Sequence, residues 1–200
     1  SLRAFKAVSE LDPEALFVLV GPEYDDNASR ECVADLGLER RVRYLGAKPA
    51  EEFAELVAAS DIGLNLRRPP TNGETSSSLL DLLRQGVPAV ITDVGTFSDF
   101  PEVAARKIPW VDASSQDLLT KSVLDLAGSR AARDELGASA MQYVRDQHSW
   151  SRVAELYAYA IEASLSAGRG DRPTPARGPH FRMKSSSRAE RPSEGREAAR

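Results

Sequence analysis

The sequence predicts an α/β fold with a doubly wound, Rossmann-like parallel sheet. Residues 16–20, 42–46 and 88–92 have the composition of short strands, and the first segment is a continuous apolar run, as in a strand buried on both faces. Segments with helical periodicity alternate with these runs, and that alternation is typical of parallel sheets. The length of 200 residues allows one such domain and is too short for two.

The first helices follow from local signals on either side of the first strand. Apolar residues recur at a spacing of three over residues 2–11, which predicts a helix that Asp12-Pro13 ends. A second helix is predicted at residues 27–36. Gly37 follows it at the position where a C-terminal cap is expected.

The middle of the chain continues the alternation. Strands are predicted at residues 42–46 and 62–66, and a helix between them at 49–59. Pro49 suits the first turn of that helix, because the missing N–H of proline costs nothing there. After a polar loop, leucines on one face predict a helix at residues 76–85.

The helix at 76–85 has a residue suited to each of its ends. Ser76 or Thr75 can cap its N-terminus. Gly86 ends it, and Pro88 prevents its continuation into the next strand. The remaining predicted elements are a short helix within 97–105, a fifth strand at 108–111, and helices at 114–128, 130–147 and 150–166.

The charge of the chain is unevenly distributed. The formal net charge is −4, but residues 168–200 contain 9 Lys and Arg against 4 Asp and Glu, a charge of +5. Residues 1–167 therefore carry −9, which argues against a nucleic-acid-binding surface on the folded part. We expect two regions, a domain at 1–167 and a tail at 168–200 whose Gly, Pro, Ser and Arg content predicts disorder.

A cytoplasmic location is the expectation from the sequence. Cys32 is the only cysteine, so no intramolecular disulfide can form. No apolar run approaches the length of about 20 residues that a membrane span needs. The basic tail at 168–200 has the charge for weak contact with acidic lipid headgroups, although a solubilising role is the simpler interpretation.

The loop before the helix at 76–85 is the candidate ligand site. Ligands of doubly wound sheets bind beyond the carboxyl ends of the strands, and these ends include Gly46 and the loop at 67–75. Free N–H groups at a helix N-terminus favour an anion such as phosphate. Arg67 and Arg68 could add positive charge, and Glu74 could bind hydroxyl groups. The alternative is an ordinary capped helix that follows a surface loop.

Several standard signatures are absent from the sequence. It contains no G-x-G-x-x-G, which argues against a dinucleotide site, and no P-loop. It contains no D-x-D, and the scarcity of His and Cys argues against a zinc site. We therefore expect no bound metal and no cofactor. His148 lies beside the start of the last predicted helix, where a structural role is expected.

Seven segments between Leu19 and Tyr157 carry a resemblance to a known family. The chain resembles the C-terminal, donor-binding domain of family 4 (group 1) glycosyltransferases, which have the GT-B fold. The segments are Leu19-Val20-Gly21-Pro22, Val42-Arg43-Tyr44-Leu45-Gly46, Ala59-Ser60-Asp61-Ile62-Gly63-Leu64, Gly73-Glu74-Thr75-Ser76, Gly86-Val87-Pro88-Ala89-Val90-Ile91-Thr92-Asp93-Val94-Gly95, His148-Ser149-Trp150 and Glu155-Leu156-Tyr157.

The resemblance implies roles for individual residues. Glu74 would be the catalytic residue that contacts the donor sugar, and Asp81 would bind the ribose hydroxyls. The family usually has two glutamates with seven residues between them, whereas six residues lie between Glu74 and Asp81. The other donor-binding residues would be Gly73, Thr75, Ser76, Ser77, Arg67 and Gly46.

The resemblance also implies an activity and a partner. The expected reaction transfers a sugar from a nucleotide-diphosphate donor to a glycan, lipid or small-molecule acceptor, with retention of anomeric configuration and without a metal. In the family a first strand and an N-terminal acceptor domain would precede Ser1. We therefore expect the isolated chain to be inactive and marginally stable. The alternatives are a non-catalytic nucleotide-sugar-binding or assembly module, and another GT-B enzyme such as a nucleotide-sugar epimerase.

Overall fold

The structure is a computed structural model that describes residues 1–22, 26–110 and 114–167. The chain divides into two compact units, residues 1–155 and 156–200. The first unit contains all the strands that the structure describes. In the second unit, the described residues form the later part of the last helix. The predicted disordered tail at 168–200 lies outside the described residues.

Strands and helices alternate in the order that the sequence predicts. The strands are β1 (Phe17–Val20), β2 (Val42–Gly46), β3 (Gly63–Asn65), β4 (Ala89–Thr92) and β5 (Arg106–Ile108). A 3-10 helix, Gly95–Asp99, follows β4. The α-helices are α1 (Leu2–Leu11), α2 (Asp26–Asp35), α3 (Ala50–Ala58), α4 (Ser77–Arg84), α5 (Ser114–Gly128), α6 (Arg130–Gln147) and α7 (Trp150–Ala167).

All strand pairs are parallel, which confirms the predicted fold class. The strands form a two-stranded sheet, β1-β2, and a three-stranded sheet, β3-β4-β5. In the first sheet Phe17 pairs with Val42, and a register shift follows Leu19. In the second, Val90 of the central strand pairs with Leu64 on one side and Arg106 on the other. The described strands are thus shared between two sheets instead of forming the single sheet that was expected.

Strand β4 has a hydrophobic cluster on each of its faces. Ala89 and Ile91 belong to a cluster formed with helices α3, α4 and α6. Val90 points to the opposite face, as alternate residues of a strand do, and joins a cluster with α1 and α5. Helices therefore cover both faces, which is the doubly wound arrangement. This packing fixes the carboxyl end of β4, which is fully buried along its length.

Apart from one-residue differences at strand ends, two details of the strands differ from the prediction. Strand β1 is not buried on both faces, since Val18 is 42% exposed. Among the described strands it pairs only with β2. Strand β5 lies at Arg106–Ile108 instead of 108–111. The charged residues of β5 are accommodated by partners, since Lys107 donates to the Ser98 carbonyl at 3.3 Å and Arg106 pairs with Asp125 at 3.5 Å. Val111, at the end of the predicted strand, lies outside the described residues.

Several helix ends differ from the prediction by one residue, and the start of α3 is an example. Pro49 is the N-cap residue of α3 and not part of its first turn, with an extended ψ of 154°. The helix begins one residue later, at Ala50, and its first turn contains Glu51 and Glu52. These carboxylates face the positive end of the helix dipole, which favours this start.

His148 has the structural role that the sequence predicts. It is the C-cap residue of α6, and its N–H donates to the Val144 carbonyl at 2.8 Å. Its ring stacks on Phe100 with centroids 5.7 Å apart and an interplanar angle of 7°. Tyr143 packs against the same ring at 5.5 Å. Burial in this aromatic cluster lowers the pKa of His148 below its usual 6.5.

The lowered pKa predicts that His148 makes stability depend on pH. The unfolded chain binds this proton more tightly than the folded chain, so stability falls as the pH drops below about 6.5 toward the folded-state pKa. We expect the melting temperature of the wild-type protein to decline more steeply between pH 7.5 and pH 5 than that of His148→Phe, which keeps an aromatic ring but cannot titrate. Parallel melting curves would contradict a contribution from His148.

Candidate functional site

The candidate site lies at the carboxyl ends of β3 and β4. The loop at residues 66–76 leaves β3 there and leads into α4, so it occupies the edge at which open α/β sheets bind ligands. Hydrogen bonds with Thr92, the last residue of β4, and with Thr96, which follows it, hold the loop against the end of that strand. The site is therefore built from two chain segments that are adjacent in space and separate in sequence.

Ser76, one of the two predicted capping residues, is the N-cap residue of α4. The Ser76 Oγ accepts a hydrogen bond from the Leu79 N–H at 3.3 Å, and the residue is 3% exposed. Asn65, the last residue of β3, donates from its side-chain amide to Ser76 Oγ at 3.2 Å and to Ser78 Oγ at 2.9 Å. These contacts fix the helix N-terminus to the strand end. The side chain of Ser76 is thus used within the protein, and its carbonyl accepts from the Leu80 N–H at 3.1 Å.

Arg67 and Glu74 form an ion pair across the loop. The guanidinium of Arg67 pairs with Glu74 Oε1, and it also lies over the ring of Phe97 at 5.3 Å from the centroid. Glu74 Oε2 is buried and has no hydrogen-bond partner among the described residues. A buried carboxylate oxygen without a partner is costly, because it has lost its hydrogen bonds to water. The structure therefore leaves one strong acceptor without a partner at this point.

Two threonines hold the loop in place: Thr92 at the end of β4 and Thr96 after that strand. Thr92 Oγ1 accepts from the Arg67 N–H at 2.7 Å and donates to the Arg67 carbonyl at 2.8 Å. Thr96 Oγ1 donates to the Glu74 carbonyl at 2.7 Å. Thr92 lies at a strand end where the sequence predicts ligand binding, but neither residue was assigned a role in the site. The sequence feature that could have identified Thr92 is its position as a polar residue at the carboxyl end of an otherwise apolar strand.

The other predicted site residues are not all brought together. Gly73, Thr75 and Ser77 are exposed beside Glu74, around the start of α4. Asp81 is one turn further along α4, and its carboxylate pairs with Arg84 at 2.6 Å. Gly46 ends β2 and so belongs to the other sheet, where its carbonyl accepts from the Gly21 N–H at 2.9 Å.

The second arginine of the loop has a separate contact. The guanidinium of Arg68 lies 5.8 Å from the centroid of the Trp110 ring, beyond the end of β5. The loop thus reaches across the end of β4 to the end of β5. Arg68 is exposed, so its charge remains accessible from solvent.

Neither a metal centre nor a membrane span is found in the parts of the chain that the structure describes. Among those residues, no three His, Cys, Asp or Glu side chains are grouped so that they could hold a metal ion. No described helix combines the length and the apolar character needed to cross a bilayer.

Comparison with known proteins identifies the family. A family model described as glycosyl transferase-like matches residues 2–158, which is most of the chain. The chain belongs to this family. The resemblance to group 1 glycosyltransferases and the predicted GT-B fold are thereby confirmed.

Individual relatives agree with the family assignment. The chain is 26% identical over 179 residues to the D-inositol 3-phosphate glycosyltransferase of Corynebacterium efficiens, and the match covers 84% of this chain. It spans only 41% of the length of that relative.

Two solved structures share the fold. The C-terminal domain of a group 1 glycosyltransferase from Francisella tularensis superposes with a TM-score of 0.62 at 15% identity, and covers 74% of this chain and 77% of that domain. Anabaena HepE, crystallised with UDP, superposes with a TM-score of 0.64 at 14% identity, over 80% of this chain and 44% of its own length.

Proposed function

We propose that this chain is the C-terminal, donor-binding half of a family 4 glycosyltransferase, which transfers a sugar from a nucleotide-diphosphate donor with retention of configuration. The observation that carries the proposal is the buried, unpartnered Glu74 Oε2 at the ligand-binding edge of the sheet. A hydroxyl group of a donor sugar supplies the hydrogen-bond donor that this oxygen lacks. The UDP in the structure of HepE, which has the same fold, is consistent with a nucleotide donor.

In this proposal, different residues around Glu74 bind different parts of the donor. Glu74 accepts a hydrogen bond from a sugar hydroxyl and so orients the anomeric carbon toward an acceptor. The diphosphate meets the exposed N–H groups at the start of α4, near Thr75 and Ser77, where the helix dipole favours negative charge. Arg67 holds the Glu74 carboxylate in place through their ion pair, and Asp81 binds the ribose hydroxyls.

The charge that develops on the leaving diphosphate is stabilised by the protein itself in this proposal. The N-terminus of α4 and the exposed cation of Arg68 lie on the same loop and carry the required positive potential. The sequence lacks the D-x-D pattern, so we propose that the reaction needs no metal and no cofactor.

An acceptor domain is the second requirement of the reaction. The chain spans 41% of the length of its glycosyltransferase relative, and the donor site faces outward from the strand ends. We propose that an N-terminal acceptor domain, in the same polypeptide or in a partner chain, closes over this edge. The protein would act in the cytoplasm, and the basic tail at 168–200 would make weak contact with a membrane surface.

A binding screen followed by a turnover assay tests the proposal. The intact protein is titrated with UDP-, GDP- and ADP-glucose by calorimetry, and release of the nucleoside diphosphate is then followed with the anomer of the released sugar detected by NMR. We expect saturable binding of one of the three, and release of the α-anomer once an acceptor domain is supplied in the same polypeptide or in a partner chain. Binding without any turnover, even with that domain supplied, would favour the non-catalytic module instead. The absence of binding to all three would overturn the proposal.

A further inference from the structure

The contact that fixes Arg67 comes from a single hydroxyl group at the end of β4. Thr92 is 4% exposed, and its Oγ1 both accepts from the Arg67 N–H at 2.7 Å and donates to the Arg67 carbonyl at 2.8 Å. The hydroxyl thereby satisfies both polar groups of the Arg67 backbone. A valine at this position would keep the shape of the side chain but leave both groups without this partner. The main chain of Arg67 is therefore tied to the most buried strand of the sheet.

The side chain of Arg67 in turn fixes the position of the Glu74 carboxylate. Its guanidinium is held between the ring of Phe97, which is 1% exposed, and Glu74 Oε1. Thr96 holds the same glutamate at its carbonyl, with an Oγ1 to O distance of 2.7 Å. Glu74 is thus located at its backbone by Thr96 and at its carboxylate by Arg67. The direction in which Oε2 points depends on both contacts.

We propose that Thr92 is a positioning residue for recognition of the donor sugar. It touches no ligand itself, and it acts by fixing Arg67 so that the guanidinium aims the free oxygen of Glu74. This inference rests on the proposed function, because Glu74 must bind the sugar for Thr92 to matter. The inference assigns Thr92 to the sugar subsite only. The start of α4, where the diphosphate would bind, is held by Asn65 and Ser76 and not by Thr92.

A difference in ligand response distinguishes positioning from a merely structural role. Loss of Thr92 as a structural residue would weaken the binding of a nucleoside diphosphate and of its sugar derivative alike. Loss of Thr92 as a positioning residue would leave the affinity for UDP unchanged and reduce the affinity for UDP-glucose. The informative quantity is the ratio of the two dissociation constants.

The experiment compares Thr92→Val and Thr92→Ser in the intact protein. Dissociation constants for UDP and UDP-glucose are measured by calorimetry, with the GDP and ADP pairs run in parallel. Thr120→Val is the matched control, because the Thr120 hydroxyl also bonds a backbone carbonyl, that of Gln116 at 2.8 Å, but lies on α5. Glu74→Gln is included as the test of the underlying site.

We expect Thr92→Val to lose about 3- to 10-fold in affinity for the sugar nucleotide with UDP binding unchanged, as for a hydrogen bond of ordinary strength. Thr92→Ser, which retains the hydroxyl, restores the wild-type ratio. The inference is overturned if Glu74→Gln lowers sugar-nucleotide affinity while Thr92→Val behaves like Thr120→Val. If the wild-type protein binds none of the sugar nucleotides, the proposed function fails first and the inference fails with it.

Discussion

Glu74→Gln is expected to weaken binding of the sugar nucleotide about 10- to 100-fold, which corresponds to loss of a charge-assisted hydrogen bond of about 1.5–3 kcal/mol. Glutamine keeps the length and shape of the side chain but removes the negative charge. The change therefore weakens the acceptor offered to a sugar hydroxyl and also removes the ion pair with Arg67. Calorimetric titration of the intact protein with UDP-glucose and with UDP measures the effect.

Glu135→Gln provides the matched control for this substitution. Glu135 is an exposed carboxylate on α6 and takes no part in the contacts of the loop at 66–76. We expect it to bind both ligands as the wild type does, and we expect Glu74→Gln to bind UDP almost normally. A Glu74→Gln variant with unchanged affinity for the sugar nucleotide would remove Glu74 from the site.

Most of the fold could be predicted because its signals are local. The helix α4 follows from leucines on one face, a serine cap and a glycine after its end, and the structure places it at Ser77–Arg84. Strand β4 follows from an uninterrupted apolar run. Strand β5 was misplaced because Arg106 and Lys107 do not resemble buried strand residues, and their partners, Asp125 and the Ser98 carbonyl, are not adjacent in sequence.

The site was predicted less completely than the fold, for a related reason. Glu74 and Arg67 could be named from the residue types expected at a strand end before a helix. Their mutual ion pair, and the hydroxyl of Thr92 that fixes Arg67 across 25 residues of sequence, depend on how β4 lies beside β3. A strand register is not readable from a single sequence. Asp81 stands where the family usually has a glutamate, its carboxylate pairs with Arg84 at 2.6 Å, and its ribose-binding role stays a prediction.

Gly137→Ala is expected to destabilise the protein strongly, because α6 approaches the end of α4 too closely for any side chain. A Cβ atom on Gly137 would lie well inside van der Waals contact of the Gly86 carbonyl oxygen and 3.0 Å from its carbonyl carbon. Gly86 cannot readily move away, since it has a φ of +74° and its own N–H donates to the Leu83 carbonyl at 3.1 Å. The overlap is with backbone, so no rotation of a side chain relieves it.

The expected balance for Gly137→Ala follows from two opposing effects. Overpacking of this kind costs about 3 kcal/mol, and alanine regains about 1 kcal/mol of helix propensity. The net loss of about 2 kcal/mol lowers the melting temperature by about 4–8 °C for a protein of this size.

Gly128→Ala is the matched control for Gly137→Ala, because Gly128 is also in a helix and an added Cβ there meets nothing within 4 Å. We expect this control to melt at or slightly above the wild-type temperature. The turn at Gly86 joins α4, whose N-terminus follows Glu74, to β4, which ends at Thr92. Displacement of that turn by Gly137→Ala should therefore weaken sugar-nucleotide binding as well as stability. Equal melting temperatures for the two alanine variants would mean that α6 can shift away from α4 without cost.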